Sequence, residues 1–307
     1  MKSAVWKSVR RNWALYFFML PMIAYFIVFN YIPIYGVQIA FQDYKLGQSF
    51  GESQWVGFKH FLRFFNSYWF PTLMRNTISI SLLQFAIGFP LPIILALMLN
   101  EVHNSRFKKM VQTFTYAPYF ISTVVLCGAL QLFLSPSMGI IGIGVNALRS
   151  VFGAEPINLL MEGPAFKWIY VLSGVWQGTG WSSVIYFAAL SGVDIQLLDA
   201  ARVDGANKLQ RIRYINLPVL IPTIVIQLIL FCGSILNVGF EKVYLLQNDT
   251  ILSASEVIST YVYRVGMTSA EYSFASAVGL FNNLINAVLL LLVNWATRCL
   301  SGESSLF

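Results

Sequence analysis

Six stretches of this chain are apolar for long enough to cross a lipid bilayer. They run approximately over residues 13–41, 73–100, 111–134, 168–193, 218–240 and 273–297. A helix needs about 20 predominantly apolar residues to span the hydrocarbon. No water is available there to pair backbone N–H and C=O groups, so each run must satisfy its own as a helix. The expected fold is an all-α membrane protein with six transmembrane helices. Composition agrees, since 57% of the 307 residues are hydrophobic and only 11% are charged. An ordinary soluble domain carries about a quarter charged residues. Lipid is therefore the expected solvent. Pro90, Pro92, Pro218 and Pro222 lie within or at the start of these runs, which is tolerated where neighbouring groups satisfy the freed carbonyls.

Orientation follows from lysine and arginine. With the N-terminus inside, the inner segments 1–12, 101–110, 194–217 and 298–307 hold twelve of the twenty basic residues. The longer outer segments 42–72, 135–167 and 241–272 hold seven, and Arg75 sits near the outer end of the second run. Basic residues accumulate on the cytoplasmic side, so the topology is N-in, C-in. The expected organisation is a cytoplasmic tail (1–12), one transmembrane domain (13–297) and a second cytoplasmic tail (298–307). Lys2, Lys7, Arg10 and Arg11 precede the first run like the charged part of a signal peptide. That run is 29 residues long, beyond a signal core of about 7–15, and no small-residue cleavage site follows. An uncleaved first membrane helix is expected. The aromatic segment 55–70 and the glycine-containing segment 139–153 read as helices lying in the interface.

Several function classes are excluded. The net charge of +7 is topology signal rather than a nucleic-acid footprint, because the basic residues lie between apolar runs and no groove-reading or stacking module accompanies them. Cys127, Cys232 and Cys299 all lie in or at the end of apolar segments, so no disulfide framework is expected. No G-x-x-x-x-G-K-[ST] phosphate loop is present, and Gly139, Gly142 and Gly144 do not have G-x-G-x-x-G spacing. His60 and His103 fall on opposite sides of the membrane in this topology, so they share no metal and no Ser/His/Asp set assembles. No catalytic residues and no metal site are expected. The thirteen acids fall almost entirely in loops. An ion-coupled relay needs ionisable groups within the spans, so the driving energy must come from elsewhere.

The interior segment 194–218 is the charged exception to the apolar pattern. It includes LLDAARVDGANKLQRIRYINLP. Leu197, Leu198, Ala200, Ala201 and Val203 favour a helix, with Asp199 near its start, where the helix dipole favours an acid. Gly205 ends that helix, and Asn207 to Tyr214 suit a second short one. Asp204, Lys208 and Arg211 form a charged stripe. One reading is a solvated inner loop. The other is a docking element, since the small Ala200 and Ala201 admit a close-approaching surface.

The spacing resembles the inner loop of type I ABC importer permeases: E-A-A, three residues, G, nine residues, I-x-L-P. Here Asp199-Ala200-Ala201, Gly205 and Ile215-Asn216-Leu217-Pro218 stand at the same intervals, with Asp in place of Glu. PLPIILALMLNE (90–101), YAPYFISTVV (116–125), GFEKVYLL (239–246) and YVYRVGMTSAEYSFASAVGLF (261–281) are similar to the polysaccharide and complex-oligosaccharide branch of that family. The resemblance covers about residues 10–297, with a family-type core over about 73–297.

The resemblance implies a type I ABC importer permease fold in the bacterial cytoplasmic membrane, with a cytoplasmic coupling helix. The coupling set would be Asp199, Ala200, Ala201, Asp204, Gly205, Ile215, Leu217 and Pro218. It implies a heterodimer with a second permease subunit, two ATPase subunits, and an extracellular or periplasmic sugar-binding protein. ATP and Mg would be held by the ATPase, with no cofactor on this chain. The imported solute would be an oligosaccharide or polysaccharide fragment. Another solute such as a peptide or alditol, or a non-transporting scaffold or sensor that docks an ATPase, stands as the alternative.

Aromatic faces and amides suit carbohydrate. The fourth run offers Trp176, Gln177, Gly178, Trp181 and Tyr186, and by resemblance to sugar permeases Trp176, Gln177, Gly178 and Trp181 are candidates for the substrate path. Gly174 and Gly178 also form G-x-x-x-G, a helix-packing pattern, and tryptophans also anchor at membrane interfaces. Near the fifth run Gln227, Asn237, Glu241 and Tyr244 are further candidates. Asn237 and Glu241, four apart, would share a helix face, and Glu241 would otherwise pair with Lys242 or lie in water. Asn282, Asn283 and Asn286 read as inter-helix hydrogen-bonding groups.

Overall fold

The computed structural model describes residues 11–48 and 51–301. Lys2, Lys7 and Arg10 of the expected inner N-terminal tail, and residues 302–307 of the C-terminal one, lie outside the described residues. The described chain is helical, with one isolated antiparallel bridge, Gln42 to Trp55, and no strand. It divides into two compact units. One takes residues up to Asn66 together with Val262–Leu280; the other takes Ser67–Tyr261 and the residues from Phe281 onward.

The first unit begins with the apolar segment Trp13–Phe41, whose mean hydropathy of 1.9 suits a membrane span. Its opening helix, Trp13–Phe26, buries no residue, as expected of a helix that is apolar all round and faces lipid. After it the chain turns through the bridge, and a short helix, Lys59–Phe65, follows. The interfacial helix expected over 55–70 is limited to these seven residues. Polar contacts hold this region: Lys59 pairs with Asp43 at 2.9 Å and Arg63 with Glu271 at 2.7 Å. The Arg63 guanidinium also lies 4.4 Å from the centre of the Phe274 ring.

The second unit holds the long helices. Trp69–Gly88 and Pro90–Asn100 run on as one 32-residue element, Trp69–Asn100, which starts four residues before the expected boundary. The third run is not a straight span. Ser105–Phe120 and Thr123–Phe133 meet at 98°. Pro118 stands at the opening of a 3-10 turn over Ala117–Phe120, Ile121 is extended, and Ser122 caps the next helix by accepting from the Val125 N–H at 3.3 Å. Helix Ile140–Val151 follows, within the expected segment. Gly163–Leu190 is 28 residues long, and Ile195–Val203 turns away from it by 81°. The fifth run is displaced toward the N-terminus. Its continuous helix covers Lys208–Cys232, and residues 233–239 turn before the short helix Phe240–Leu246. Tyr272–Ser301 is the last described helix, and its residues up to Leu280 belong to the first unit. By length and composition four helices can cross a membrane, and six spans result if each bent pair counts as one.

Two π turns lie just before prolines. Ile27–Tyr31 precedes Pro33, and Ile212–Asn216 precedes Pro218. Proline lacks an N–H, and its ring crowds the carbonyl four residues back. A wider turn with i→i+5 bonding relieves that crowding.

Packing in the second unit depends on close backbone approach. Gly163–Leu190 lies along Pro90–Asn100, and Ala96, Leu97, Tyr186, Leu190 and Leu220 form one buried cluster there. A Cβ on Gly180 would overlap the Thr115 carbonyl, so this glycine lets two helices touch. Gly178 faces open space. The expected G-x-x-x-G pair is therefore not the packing seam; Gly180 is. We expect Gly180→Val to lower the thermal midpoint of detergent-solubilised protein markedly, and Gly178→Val to leave it near wild type. A thermal-unfolding comparison of the two variants checks this.

Candidate functional site

The charged loop folds into a tightly capped helical element. Its first helix, Ile195–Val203, begins four residues before Asp199, and Asp194 caps it by accepting from the Gln196 N–H at 2.8 Å. Asp199 is thus mid-helix rather than at the dipole's positive end, and it pairs with Arg202 at 2.8 Å. Gly205, at φ +78°, supplies the left-handed residue after the helix. Its N–H donates to the Arg202 carbonyl at 3.1 Å, and the Ala206 N–H to the Ala201 carbonyl at 2.9 Å. This pair of bonds is a Schellman closure. Asn207 and Gln210 then form a reciprocal capping box at 2.9 and 2.7 Å, which starts the next helix.

The residues expected to couple separate into two groups. Asp199, Ala200, Ala201, Asp204 and Gly205 lie on or just after an exposed helix whose apolar Ile195, Leu197 and Val203 face outward. Ile215, Leu217 and Pro218 form the run-in to the next membrane helix, and Ile215 packs against the buried cluster. The charged stripe does not form. Asp204 sits at the helix end, and the turn at Gly205 separates it from Lys208 and Arg211. Arg211 turns inward and pairs with Glu101 at 2.7 Å. Glu101 was visible in the sequence as the one acid of the basic segment 101–110, but nothing there named its partner.

A second feature of the same unit is a polar cavity of about 510 Å³, lined among others by Gln84, Trp181, Ser182, Tyr186, Gln227 and Ser234. A smaller hollow of about 210 Å³ lies against Ser81, Gln84, Tyr170 and Asn237. Gln84 lines both. The Ser81 hydroxyl is buried there without a hydrogen-bond partner. Among the sequence candidates, Trp181 forms part of the larger wall and stacks on Tyr119, with ring centres 4.8 Å apart and planes at 8°. Trp176 does not join it. Five residues apart on an α-helix is a rotation of about 140°, and Trp176 instead lines an apolar groove of about 640 Å³ with Val125, Phe133 and Leu172. Gln177 donates to the Ile121 carbonyl at 2.7 Å, which satisfies the backbone at the bend of the third run. Ser81, Gln84, Ser182 and Ser234 escaped the sequence reading, though each is a polar residue within an apolar run.

Asn237 and Glu241 do not share a helix face, because the chain turns between them at Gly239. Asn237 accepts from Asn282 and Asn286, each at 2.9 Å, and Asn286 also accepts from the Leu236 N–H at 3.1 Å. Glu241 and Tyr244 are exposed and line neither cavity, and Tyr244 stacks on Phe240. Lys242 points the other way. It is buried, donates to the Tyr170 carbonyl at 2.8 Å, and lies 4.9 Å from the centre of that ring. A Cβ on Gly174 would come within 3.2 Å of the ammonium, so this glycine makes room for Lys242. Burial lowers the Lys242 pKa to about 8.

Comparison with known proteins brings these features together. A family model described as binding-protein-dependent transport system inner membrane component matches residues 88–301. Over 280 residues the chain is 42% identical to the polygalacturonan/rhamnogalacturonan transport system permease protein YteP of Bacillus subtilis (strain 168), covering 91% of this chain and 86% of that protein. It is 38% identical over 303 residues to Protein LplB of the same organism, covering 98% and 94%. A crystal structure of a bacterial alginate ABC transporter, in complex with alginate pentasaccharide-bound periplasmic protein, contains a chain with 39% identity. The match covers 98% of this chain and 99% of that one, with a TM-score of 0.87.

The lowered Lys242 pKa predicts a pH dependence. Between about 8 and the ordinary 10.5 the unfolded chain binds the proton that the folded chain has released. Stability therefore rises with pH through that window. We expect Lys242→Met to remove this part of the rise in a thermal-midpoint titration, while variants at exposed lysines such as Lys208 retain it.

Proposed function

The chain belongs to the family of binding-protein-dependent transport system inner membrane components, and from that premise we propose that it is the permease subunit through which an ABC importer passes oligosaccharides or polysaccharide fragments. The fold is that of a type I ABC permease. Six spans with both ends inside would fit the inward bias of lysine and arginine, with the bent pair Ser105–Phe120 and Thr123–Phe133 serving as one crossing and Gly163–Leu190 as another. A second permease subunit completes the pathway, two ATPase subunits hold ATP and Mg, and a binding protein delivers the sugar from outside.

What carries this reading is the presence, in one compact unit, of a rigid exposed helix and a polar, aromatic-walled cavity. Ile195–Val203 is capped at both ends, so little conformational entropy is lost when it enters a cleft on another protein. Movement imposed on it by the ATPase would drive the rigid-body change of alternating access. Trp181 and Tyr186 are the aromatic residues of the cavity wall, and Gln84 and Gln227 bring amide groups to it. We assign the sugar path to these four residues together with Asn237. Gln177 serves the backbone instead. The names of YteP and of the alginate transporter, which refer to uronic-acid polymers, favour an acidic glycan as cargo.

Reconstitution with the second permease, ATPase and binding protein should give ATP-dependent uptake of labelled oligosaccharide into vesicles. Normal ATPase docking without uptake would favour a scaffold, and competition by peptides or alditols would redirect the substrate. Gly205→Val forces a β-branched residue into a left-handed conformation, at a cost of about 1–2 kcal/mol or more. We expect its uptake to fall about tenfold at matched abundance while ATP hydrolysis persists. Gly205→Asn, which tolerates that conformation, should keep most of the uptake.

A further inference from the structure

One buried charge cluster joins the docking loop to a membrane helix that the coupling spacing does not include. Glu101 stands at the C-terminal end of Pro90–Asn100, with its side chain only 13% exposed, and the Arg211 side chain is 9% exposed. Arg211 donates from Nη2 to Glu101 Oε2 at 2.7 Å and from Nη1 to the Ala206 carbonyl at 3.1 Å. Asn216, fully buried, donates from Nδ2 to Glu101 Oε1 at 3.3 Å. One carboxylate therefore holds both a side chain of the loop and a side chain of the helix that follows it.

The π turn makes this arrangement possible. Arg211 and Asn216 are five residues apart, which on an α-helix separates them by about 140°. The intervening turn Ile212–Asn216, closed by the Leu217 N–H on the Ile212 carbonyl, bonds i to i+5 and brings them back onto one side. The turn lies just before Pro218, so the end of the coupling motif and the two donors to Glu101 share one stretch of backbone.

We propose that Glu101 is a positioning residue that ties the docking helix to the second membrane helix, so that Ile195–Val203 and Trp69–Asn100 move as one body. Through Ala206 the guanidinium grips the backbone next to the Gly205 turn, where the loop would otherwise flex. Through Glu101 the pull reaches a helix whose Pro92, Phe89, Gly88 and Gln84 line the polar cavity. Gln84 lies 17 residues before Glu101, about 26 Å along a helix at 1.5 Å per residue. Displacement at the inner face is thereby delivered to the cavity wall. The assignment rests on the import reading above.

The decisive quantity is sugar carried per ATP hydrolysed, which a merely structural role would leave unchanged at matched abundance. In vesicles containing the complete transporter, Glu101→Gln and Arg211→Met should keep hydrolysing ATP but carry about 5–150-fold less sugar per ATP, the span of ordinary coupling energies. The charge swap Glu101→Arg with Arg211→Glu should recover most of the ratio. A ratio within about twofold of wild type in both single variants would overturn the tie, and so would a swap no better than either single. A second measurement does not depend on these variants assembling. Spin labels at Met98 and Gln196, both exposed, should keep one separation in nucleotide-free and ATP-trapped transporter; a separation that changes between the states overturns the proposal. Wild-type vesicles that take up no sugar would defeat the import reading alone, and the label distance would still decide the tie.

Discussion

Hydrocarbon offers no hydrogen-bond partner to a peptide group, so every place where a membrane helix breaks must find one inside the protein. Much of the polar content of the apolar runs serves this need. At the bend of the third run, Gln177 meets the Ile121 carbonyl. Where the fifth helix ends, Asn286 meets the Leu236 N–H, the Tyr170 hydroxyl meets the Gly239 N–H, and the Ser259 hydroxyl meets the Val238 carbonyl. Asn76 meets the carbonyls of Ser253 and Glu256, each at 3.0 Å. Such bonds allow helices to bend and stop without leaving these backbone groups unpaired.

The docking loop answers the opposite problem. It faces water, where a charged, glycine-containing segment could remain mobile. A side-chain cap at Asp194, a Schellman closure at Gly205 and a capping box at Asn207 leave few free backbone groups in it. Glu101 then anchors it from the side. Capped and anchored in this way, the loop is held in one shape. The apolar surface of Ile195, Leu197 and Val203 is left exposed as the part available for contact.

The same reasoning separates what was legible in sequence from what was not. Helical spans were legible because length and hydropathy act along the chain, and Trp69–Asn100 and Tyr272–Ser301 match their expected runs within a few residues. The helix–glycine–helix form of the loop was legible because capping chemistry is local. Its starting point was misplaced, as Asp199 was given a role that the acid five residues earlier performs. The third and fifth runs misled for one reason: hydropathy registers an apolar environment and is blind to backbone direction. It therefore ran straight through Ile121 and past Cys232. A common face for Asn237 and Glu241 assumes an unbroken helix, and the resemblance that suggests both Trp176 and Trp181 for the substrate path does not register the helical rotation that divides them.

Sequence alone determined that this chain is a helical membrane protein with a charged helix–glycine–helix loop in a family-type register, because apolar length, charge distribution and residue spacing are properties of the chain itself. Only tertiary structure decided that Gly180, not Gly178, is the packing glycine, that Gln84 and Trp181 share a cavity, that Lys242 is buried against Tyr170, and that Glu101 receives Arg211 and Asn216 from residues more than a hundred positions away. Those pairings depend on which helix faces which, and in a lipid-soluble chain many faces are apolar enough to pack. The choice among them is made by where small residues let backbones meet and where buried polar atoms find partners.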